Sequence, residues 1–408
     1  MRRPIVHVVG AGLSGLSAAH HLAALGRFDV VVHERDPEPG GRRRAIFDQA
    51  DGSAVDSLNS VVWPHWRAVR GLIAAAGAQA HWRSGERRID FLDMNDNARW
   101  TLRPGRGATP WWALLRSRRA PGVSVGDYFR FARGSRAKGA APRSGAAYER
   151  LWRPFSLAAL NLAPGAASAD LLMAALREAL EAPPERPLYP SRDFGHALLL
   201  PLQQLLRRQD VAIRCERELQ ALGFSGEQVV GLEFGFDRIE LGPRDAVVLA
   251  VPPWAAAPLA PGLLTPDEFT ASITAHFDAA PPPGLADLTF VVNGPFHALF
   301  RRGESLSVTV RDAGGALDQP KETLAAKYWA AVAAIAGLSD ALPAWRVIRE
   351  PRAAFAATSA QNALRPAAAT RWRNFVLAGG YVRSDLPEST EAAARSGERA
   401  AEILADLL

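Results

Sequence analysis

Residues 5–34, IVHVVGAGLSGLSAAHHLAALGRFDVVVHE, constrain this chain more than any other stretch. An apolar run from Ile5 to Val9 ends directly at Gly10, glycines recur at Gly12 and Gly15, and an acid stands at Glu34. The spacing predicts a buried strand, a tight turn, a helix and a second strand, the unit that holds a dinucleotide pyrophosphate and the ribose beside it. Gly10 permits the turn, Gly12 lets the backbone approach phosphate, and Gly15 lets the helix pack closely on the sheet. Unpaired N–H groups at the helix start, around Leu13 and Ser14, face the anion. Val30 to His33 delivers Glu34 to the ribose, where a carboxylate accepts from a 2′-hydroxyl and repels a 2′-phosphate.

At 408 residues the chain exceeds the usual size of one core, so about two domains are expected. No apolar run reaches the ~20 residues needed to cross a bilayer, and the leading MRRP resembles neither a signal nor a transit peptide. The lone Cys215 forms neither an internal disulfide nor a cysteine-rich metal site. No compact His/Asp ligand set stands out, so no metal is expected and a reducing cytoplasm is the expected location. The net charge of +6 is mostly arginine, clustered at Arg42–Arg44, Arg116–Arg119 and Arg130–Arg136. These clusters lack a recognition-helix pattern and interleaved aromatics, so nucleic acid is not the expected partner. A surface resting on anionic lipid and a plain solvated surface both fit them.

The pattern is α/β, with dinucleotide and substrate segments interleaved. Residues 1–75, 191–254 and 346–408 are assigned to the dinucleotide-binding domain; 76–190 and 255–345 are assigned to a substrate domain of mixed sheet and helix. PEPGGRRR (37–44) suits a loop folded back over the cofactor, with Arg42 pairing with phosphate. Within residues 105–146, VGDYFRFARGSRAKGAAPRSG (125–145) suits a mobile segment, and 148–180 read as helical with interruptions at Pro154 and Pro164. DAVVLAVPP (245–253) reads as a strand rejoining the dinucleotide sheet. NFVLAGG (374–380) predicts a short strand followed by a long terminal helix, capped by Asp385 with Glu388 reciprocating and Pro387 in the first turn. Ser389, Ala393, Ser396 and Ala400 would give that helix one narrow face of small residues.

VVGAGLSGLSAA (8–19), GGR (40–42) and LAGGYVRSDLPESTEAAARSG (377–397) together resemble the flavin-containing amine oxidase and phytoene desaturase superfamily. LWRPFSLAALNLAPGAASADLL (151–172) and VIREPRAAFAAT (347–358) resemble its squalene-associated branch, the hydroxysqualene dehydroxylases. The resemblance covers most of the chain. It implies a Rossmann-like FAD-binding domain interleaved with the mixed-sheet and helical substrate domain. It also implies reductive conversion of hydroxysqualene to squalene in hopanoid precursor synthesis, with FAD as cofactor and an apolar C30 isoprenoid as substrate. A reductant that the sequence does not identify must supply the electrons, and peripheral contact with the inner face of the cytoplasmic membrane is an expectation for so insoluble a product. The alternatives are a flavin-dependent isoprenoid desaturase, an amine oxidase, and a non-catalytic Rossmann-derived interaction protein.

Carried over by position, FAD would be held by Gly10, Gly12, Leu13, Ser14, Gly15, Glu34 and Arg35, with Gly41 and Arg42 near the pyrophosphate. Gly379, Gly380 and Pro387, Glu388, Ser389 and Thr390 would face the flavin end. Two departures stand out. The family's C-terminal Gly–Asp element has Gly380 where the acid belongs, and DSLNS (56–60) replaces Asp-Asn-Gly-Gln-His while keeping Asp56. Asp56, Asp193, His196 and Tyr381 are the candidate catalytic groups; a loop cap, a satisfied turn and ordinary packing are their competing roles. Trp152, Phe155, Leu157, Leu160 and Leu162 fit a substrate chamber and a domain core equally well.

Overall fold

The computed structural model describes residues 2–47, 54–103, 109–134, 144–180 and 185–408. Two sheets organise them. A five-stranded parallel sheet runs in the order Phe375–Leu377, Ala246–Leu249, Ile5–Val9, Asp29–His33, Ala212–Arg214. Its central strand is completely apolar apart from His7, as a strand covered on both faces requires. Val9 pairs with His33 on one side and Leu249 on the other, so the Gly10 turn lies at the carboxyl end of the sheet. DAVVLAVPP joins this sheet as the sequence suggested, its strand ending before Pro252 and Pro253.

A seven-stranded mixed sheet carries the rest, in the order Trp345–Phe355, Phe269–Phe277, Ser305–Arg311, Ala298–Arg302, Leu288–Val292, Ile89–Asp93, Arg99–Leu102. Trp345–Phe355 is therefore a strand of the large sheet, and the chain re-enters the parallel sheet only at Phe375. The helix Lys321–Ala336 covers one side of the large sheet through Leu324, Tyr328, Trp329 and Val332.

Three local readings change. Val125–Gly134 is a helix, ordered by Tyr128, whose hydroxyl accepts from Ala120 N–H at 2.9 Å; residues 135–143 of the segment read as mobile lie outside the described residues. Pro154 does not end the helical run but stands where the π-helical turn Tyr148–Trp152 passes into the α-helix Arg153–Leu160, so the interruption is a change of winding. The terminal helix, Thr390–Leu407, is capped by Ser389, whose hydroxyl accepts from Ala392 N–H at 3.0 Å, and not by Asp385. Residues 380–386 are held away from helical geometry by a buried arginine described below.

The terminal helix crosses the first helix, Leu13–Ala24, at very close range. Ser17 donates its hydroxyl to Ala394 O at 2.8 Å, and a Cβ on Gly397 would stand 2.2 Å from Ser14 O and 2.7 Å from Ala18 N. The closest helix–helix contact runs through Ala394 and Gly397, while the Ser389–Ala393–Ser396–Ala400 face approaches the end of the sheet, where Ser396 accepts from Gly379 N–H at 2.9 Å, just beyond Phe375–Leu377. Both neighbours of Gly397 are backbone and cannot swing aside, so Gly397→Ala is expected to cost about 1–3 kcal/mol, read as a lower urea midpoint at unchanged slope.

His7 and His33 form a stacked, hydrogen-bonded pair inside the parallel sheet, 3.0 Å between ring nitrogens. Burial pushes His7 down to about 4 and His33 down to about 3 from 6.5. Folded, both stay neutral where the unfolded chain would bind protons. Their contribution to stability is complete above about pH 6.5 and is lost as pH falls through 4 and 3. An unfolding midpoint that drops steadily between pH 6.5 and 4, less steeply in a His7→Asn/His33→Asn variant that remains folded, is the expected result.

Candidate active site

The first turn has the shape a pyrophosphate needs. Gly10 has φ +102°, and a Cβ there would meet Ala250 O at 2.6 Å; one on Gly15 would meet Gly10 O at 1.9 Å. At Gly12, by contrast, a Cβ would find nothing within 4 Å, so this position opens on free space at the N-terminus of Leu13–Ala24. That helix has no side-chain cap, which leaves its first N–H groups, Leu13 and Ser14 among them, to an anion. Glu34 is buried and fixed by Ala11 N–H at 2.7 Å and Asp36 N–H at 3.0 Å. Arg35 points outward and pairs with Asp36 at 3.1 Å. Gly40 N–H donates to Ala11 O at 3.0 Å, which lays the GGR loop over the turn as expected, with Gly41 against Gly12.

The distant C-terminal segment arrives at the same place. Arg42 donates to Ala353 O at 2.9 Å and pairs with Glu388 at 2.5 Å. Its guanidinium, expected on phosphate, is therefore already engaged by a carboxylate. Burial would lower Arg42, but Glu388 outweighs it and the group is held above its ordinary range. The other Glu388 oxygen accepts from Phe355 N–H at 2.7 Å. Gly380 leaves room for this side chain: a Cβ there would come 2.9 Å from Glu388 Cγ. The acid missing at position 380 thus has a carboxylate standing beside it, supplied from eight residues further on.

Gly379, at φ +157°, lies against Tyr381, whose ring a Cβ would meet at 2.6 Å. Tyr381 is buried, its hydroxyl has no hydrogen-bond partner, and burial pushes its pKa upward. The loop that carries these residues winds around Arg365, which is completely buried. Its guanidinium donates to the carbonyls of Val382 at 2.7 Å, Leu386 at 2.9 Å, Tyr381 at 3.2 Å, and Gly380 and Ser384 at 3.3 Å. Nothing in QNALRPAAA marks Arg365 as such a post.

An apolar chamber leads away from Pro387, Glu388, Ser389 and Thr390. Phe91, Phe290 and Phe300 of the large sheet line it, as do Phe155, Leu157 and Leu160; its lining reaches Pro110, Trp112, Tyr128 and Phe131. Trp152 and Leu162 belong to the core behind it. Arg43 and Arg311 also line the chamber; burial lowers each to about 10, with Arg311 adding to the effect on Arg43, so both remain cations at neutral pH. Glu178, on the helix Ala169–Leu180, lines it too, with His65 Nε2 3.9 Å and Arg395 Nη1 3.8 Å away. Burial, then the charge of Glu391, pushes Glu178 up to about 7 against the pull of Arg395. Glu391 itself caps another helix, accepting from Ala68 and Val69 N–H at 3.0 Å each.

Three of the four candidate catalytic groups are occupied elsewhere. Asp56 is buried, accepts from Phe194 N–H at 2.6 Å and pairs with Arg302 at 2.7 Å. Asn59 extends the brace, accepting from Ser307 and Arg302 and donating to Thr309. DSLNS thus pins the strand connection to the large sheet, with Leu58 and Asn59 facing the chamber and Asp56 behind them. Asp193 accepts from His196 N–H at 2.9 Å and pairs with His196 Nδ1 at 2.6 Å, closing its own turn. Only Tyr381 stands with the residues around Gly379. Glu178 was missed because REALEAPPE reads as a solvated helix end; only the tertiary fold encloses it.

The family described as flavin containing amine oxidoreductase matches residues 13–405. A curated relative from Rhodopseudomonas palustris, a hydroxysqualene dehydroxylase, is 42% identical over 98% of both chains. The chain belongs to the hydroxysqualene dehydroxylase family. A second member, from Zymomonas mobilis, is 32% identical over 98% of each chain. Among solved structures, cyclohexylamine oxidase from Brevibacterium oxydans aligns over 99% of both chains with a TM-score of 0.68 at 13% identity. A putrescine oxidase aligns over 98% of both, TM-score 0.68, 15% identity; these likenesses concern the fold. The dehydroxylase-family chain is an FAD-dependent oxidoreductase. The residues present fit that cofactor: Gly12 opens on free space at an uncapped helix start, Glu34 is fixed beside it through Ala11 N–H, and the C-terminal segment joins them through the Arg42–Glu388 pair.

Proposed function

We propose that this enzyme converts hydroxysqualene to squalene by reductive dehydroxylation. The observation that carries the reading is the chamber leading away from Pro387 to Thr390, walled by phenylalanines and leucines, with Arg43, Arg311, Glu178 and Glu388 among its charged lining. Such a wall desolvates a C30 isoprenoid without polar contacts along its length. No aromatic cage for an amine is needed by this reading, and the curated relatives carry the same activity in their names.

In this reading Gly12, Leu13, Ser14 and Gly41 hold the pyrophosphate and Glu34 the adenosine ribose; Gly379, Gly380, Tyr381 and Pro387 to Thr390 hold the flavin end. Glu178 Oε would give its proton to the substrate hydroxyl as the C–O bond breaks, so that the oxygen leaves as water; bound reduced FAD would supply the two electrons and the hydrogen that the electron-poor carbon needs. A carboxylic acid is suited to the step because near pH 7 it both holds and releases its proton. His65, pushed down to about 4 by burial, stays neutral beside it and does not draw the proton off as a carboxylate partner. Arg43 and Arg311 place positive charge at the cleft end of the chamber, where an electron-rich ring is stabilised. Glu388 takes over the part of the acid absent at 380 by fixing Arg42 and Phe355.

The test is an anaerobic incubation of purified protein with chemically reduced FAD and hydroxysqualene, followed by product mass. Squalene is expected. Recovery of unreacted alcohol by protein that has bound FAD stoichiometrically contradicts the substrate, while a more unsaturated product under oxidising conditions would turn the reading to a desaturase. Among the described residues no helix is long and apolar enough to cross a membrane; contact with a membrane surface belongs to the same reading, since the substrate and product are both insoluble in water.

A further inference from the structure

Large apolar side chains are exposed at few places in the described structure, and three of them fall within five residues: Trp111 at 64%, Leu114 at 57% and Leu115 at 54%. Trp111 and Leu114 sit on the short 3-10 turn Trp111–Leu114, and Leu115 links it to a second, Arg116–Arg118. The turns are not loosely attached. Ala113, in the first of them, is completely buried, Trp111 packs edge-on against Phe129 at 5.4 Å, and Trp112 against Tyr128 at 5.3 Å. The helix Val125–Gly134 therefore holds the apolar side chains outward. Burying them in the protein's own core was available to residues so close to Ala113, Tyr128 and Phe131, yet the fold presents them to the outside.

Positive charge surrounds them. Arg116 is exposed and Arg118 half-buried in the same turns, and Arg133 is exposed at the end of the neighbouring helix. None of the three has a carboxylate partner among the described residues, although Arg130 beside them pairs with Asp127 at 2.7 Å. Unpaired arginines flanking an exposed tryptophan and two leucines match the headgroup region of an anionic bilayer: guanidinium to phosphate, indole at the interface, leucine below it. The patch also adjoins the chamber. Pro110 and Trp112, the residues on either side of Trp111, line it together with Tyr128 and Phe131.

We propose that the surface of Trp111, Leu114 and Leu115 with Arg116, Arg118 and Arg133 seats the protein on an anionic lipid bilayer, beside the part of the apolar chamber where a hydrocarbon passes in and out. The choice of lipid over a protein partner rests in part on the substrate class proposed above. A C30 hydrocarbon resides in bilayers, and a chamber wall continuous with the docking residues spares it a passage through water.

Vesicle sedimentation of the FAD-loaded protein tests this, with phosphatidylcholine alone and with phosphatidylcholine mixed equally with phosphatidylglycerol. The expected result is pelleting with the mixed vesicles, weakened by salt, and little with phosphatidylcholine. Arg116→Gln/Arg118→Gln/Arg133→Gln should weaken binding by about fivefold for each arginine removed. Trp111→Ser/Leu114→Ser/Leu115→Ser should weaken it at least tenfold. Five of the six side chains are exposed and Arg118 is half-buried; equal melting midpoints confirm intact folds. Unchanged vesicle binding by both variants, or wild type that stays in the supernatant with every vesicle, would overturn the proposal. So would variants that instead split a dimer in sedimentation velocity, since the patch would then cover a second copy. Turnover separates the two claims. Variants that convert detergent-dispersed hydroxysqualene normally but vesicle-borne hydroxysqualene slowly support docking. Vesicle binding without any squalene from either source contradicts the substrate and leaves the docking surface standing.

Discussion

Arg365→Met should destabilise the protein by about 3–5 kcal/mol and strip it of flavin. The guanidinium is the hub for five backbone carbonyls between Gly380 and Leu386, and it also reaches Ser384 Oγ at 3.1 Å and Asn362 Oδ1 at 3.3 Å. Burial lowers its pKa to about 10, with Glu388 opposing, so it is still a cation at neutral pH. Methionine fills much of the volume but donates nothing, which leaves several buried carbonyls unsatisfied at about 1–3 kcal/mol each before the loop relaxes. Relaxation is itself damaging, because Gly379, Gly380, Tyr381 and Glu388 are positioned by this loop. Lysine keeps the charge without the planar fork and should fall between the two. The measurement is a urea melt paired with flavin absorbance of the purified variant. A normal midpoint and full yellow colour in Arg365→Met would mean that the loop is held by other contacts.

Glu178→Gln should lower kcat by about 10²–10⁴ while leaving FAD bound and KM little changed. Glutamine keeps the shape and the polar atoms but has no proton to give. The sign of the pH dependence follows from the raised pKa. The acid form predominates below about 7 and is lost above it, so wild-type kcat should fall on the alkaline side of neutrality, and that limb should disappear in the variant. The groups facing Glu178 shape this limb: His65 from the connection before Arg67–Ala75, and Glu391, Arg395 and Asp385 from the terminal helix and the loop before it. Removing the positive charge with Arg395→Gln should move the limb to higher pH. A limb that stays in Glu178→Gln, or a kcat within threefold of wild type, would assign the proton to another donor.

The dinucleotide turn was legible because each of its residues is dictated locally. A strand buried on both faces, a turn needing φ above zero and a helix pressed on the sheet leave few choices at Gly10 and Gly15. The C-terminal strand and long helix were legible for the same reason. What was hidden depends on contacts between distant segments. Gly397 lies in an Ala- and Ser-rich run where many residues are small, and only the crossing with Ser14 and Ala18 singles it out. The terminal cap falls on Ser389 rather than Asp385 because Arg365 holds the carbonyls of 380–386 in place. By sequence Arg42 suits phosphate, but in the fold Glu388 engages it, and the same carboxylate stands beside Gly380, where the family's acid is absent. Nothing in the sequence singles out Glu178 or the turns after Pro110: the chamber that encloses the first is built from stretches scattered between Arg43 and Thr390, and the exposure of the second is a property of the finished fold.

The central claim, that a reduced flavin clasped by both chain ends hands a hydride into the apolar chamber, is tested most directly by single turnover. Photoreduced enzyme is mixed with hydroxysqualene without oxygen, and flavin absorbance is followed alongside product mass. The account predicts that oxidised-flavin absorbance returns in step with squalene, one for one, and more slowly in Glu178→Gln. Flavin that stays reduced while the alcohol persists, or squalene that appears only with oxidised flavin, would contradict it.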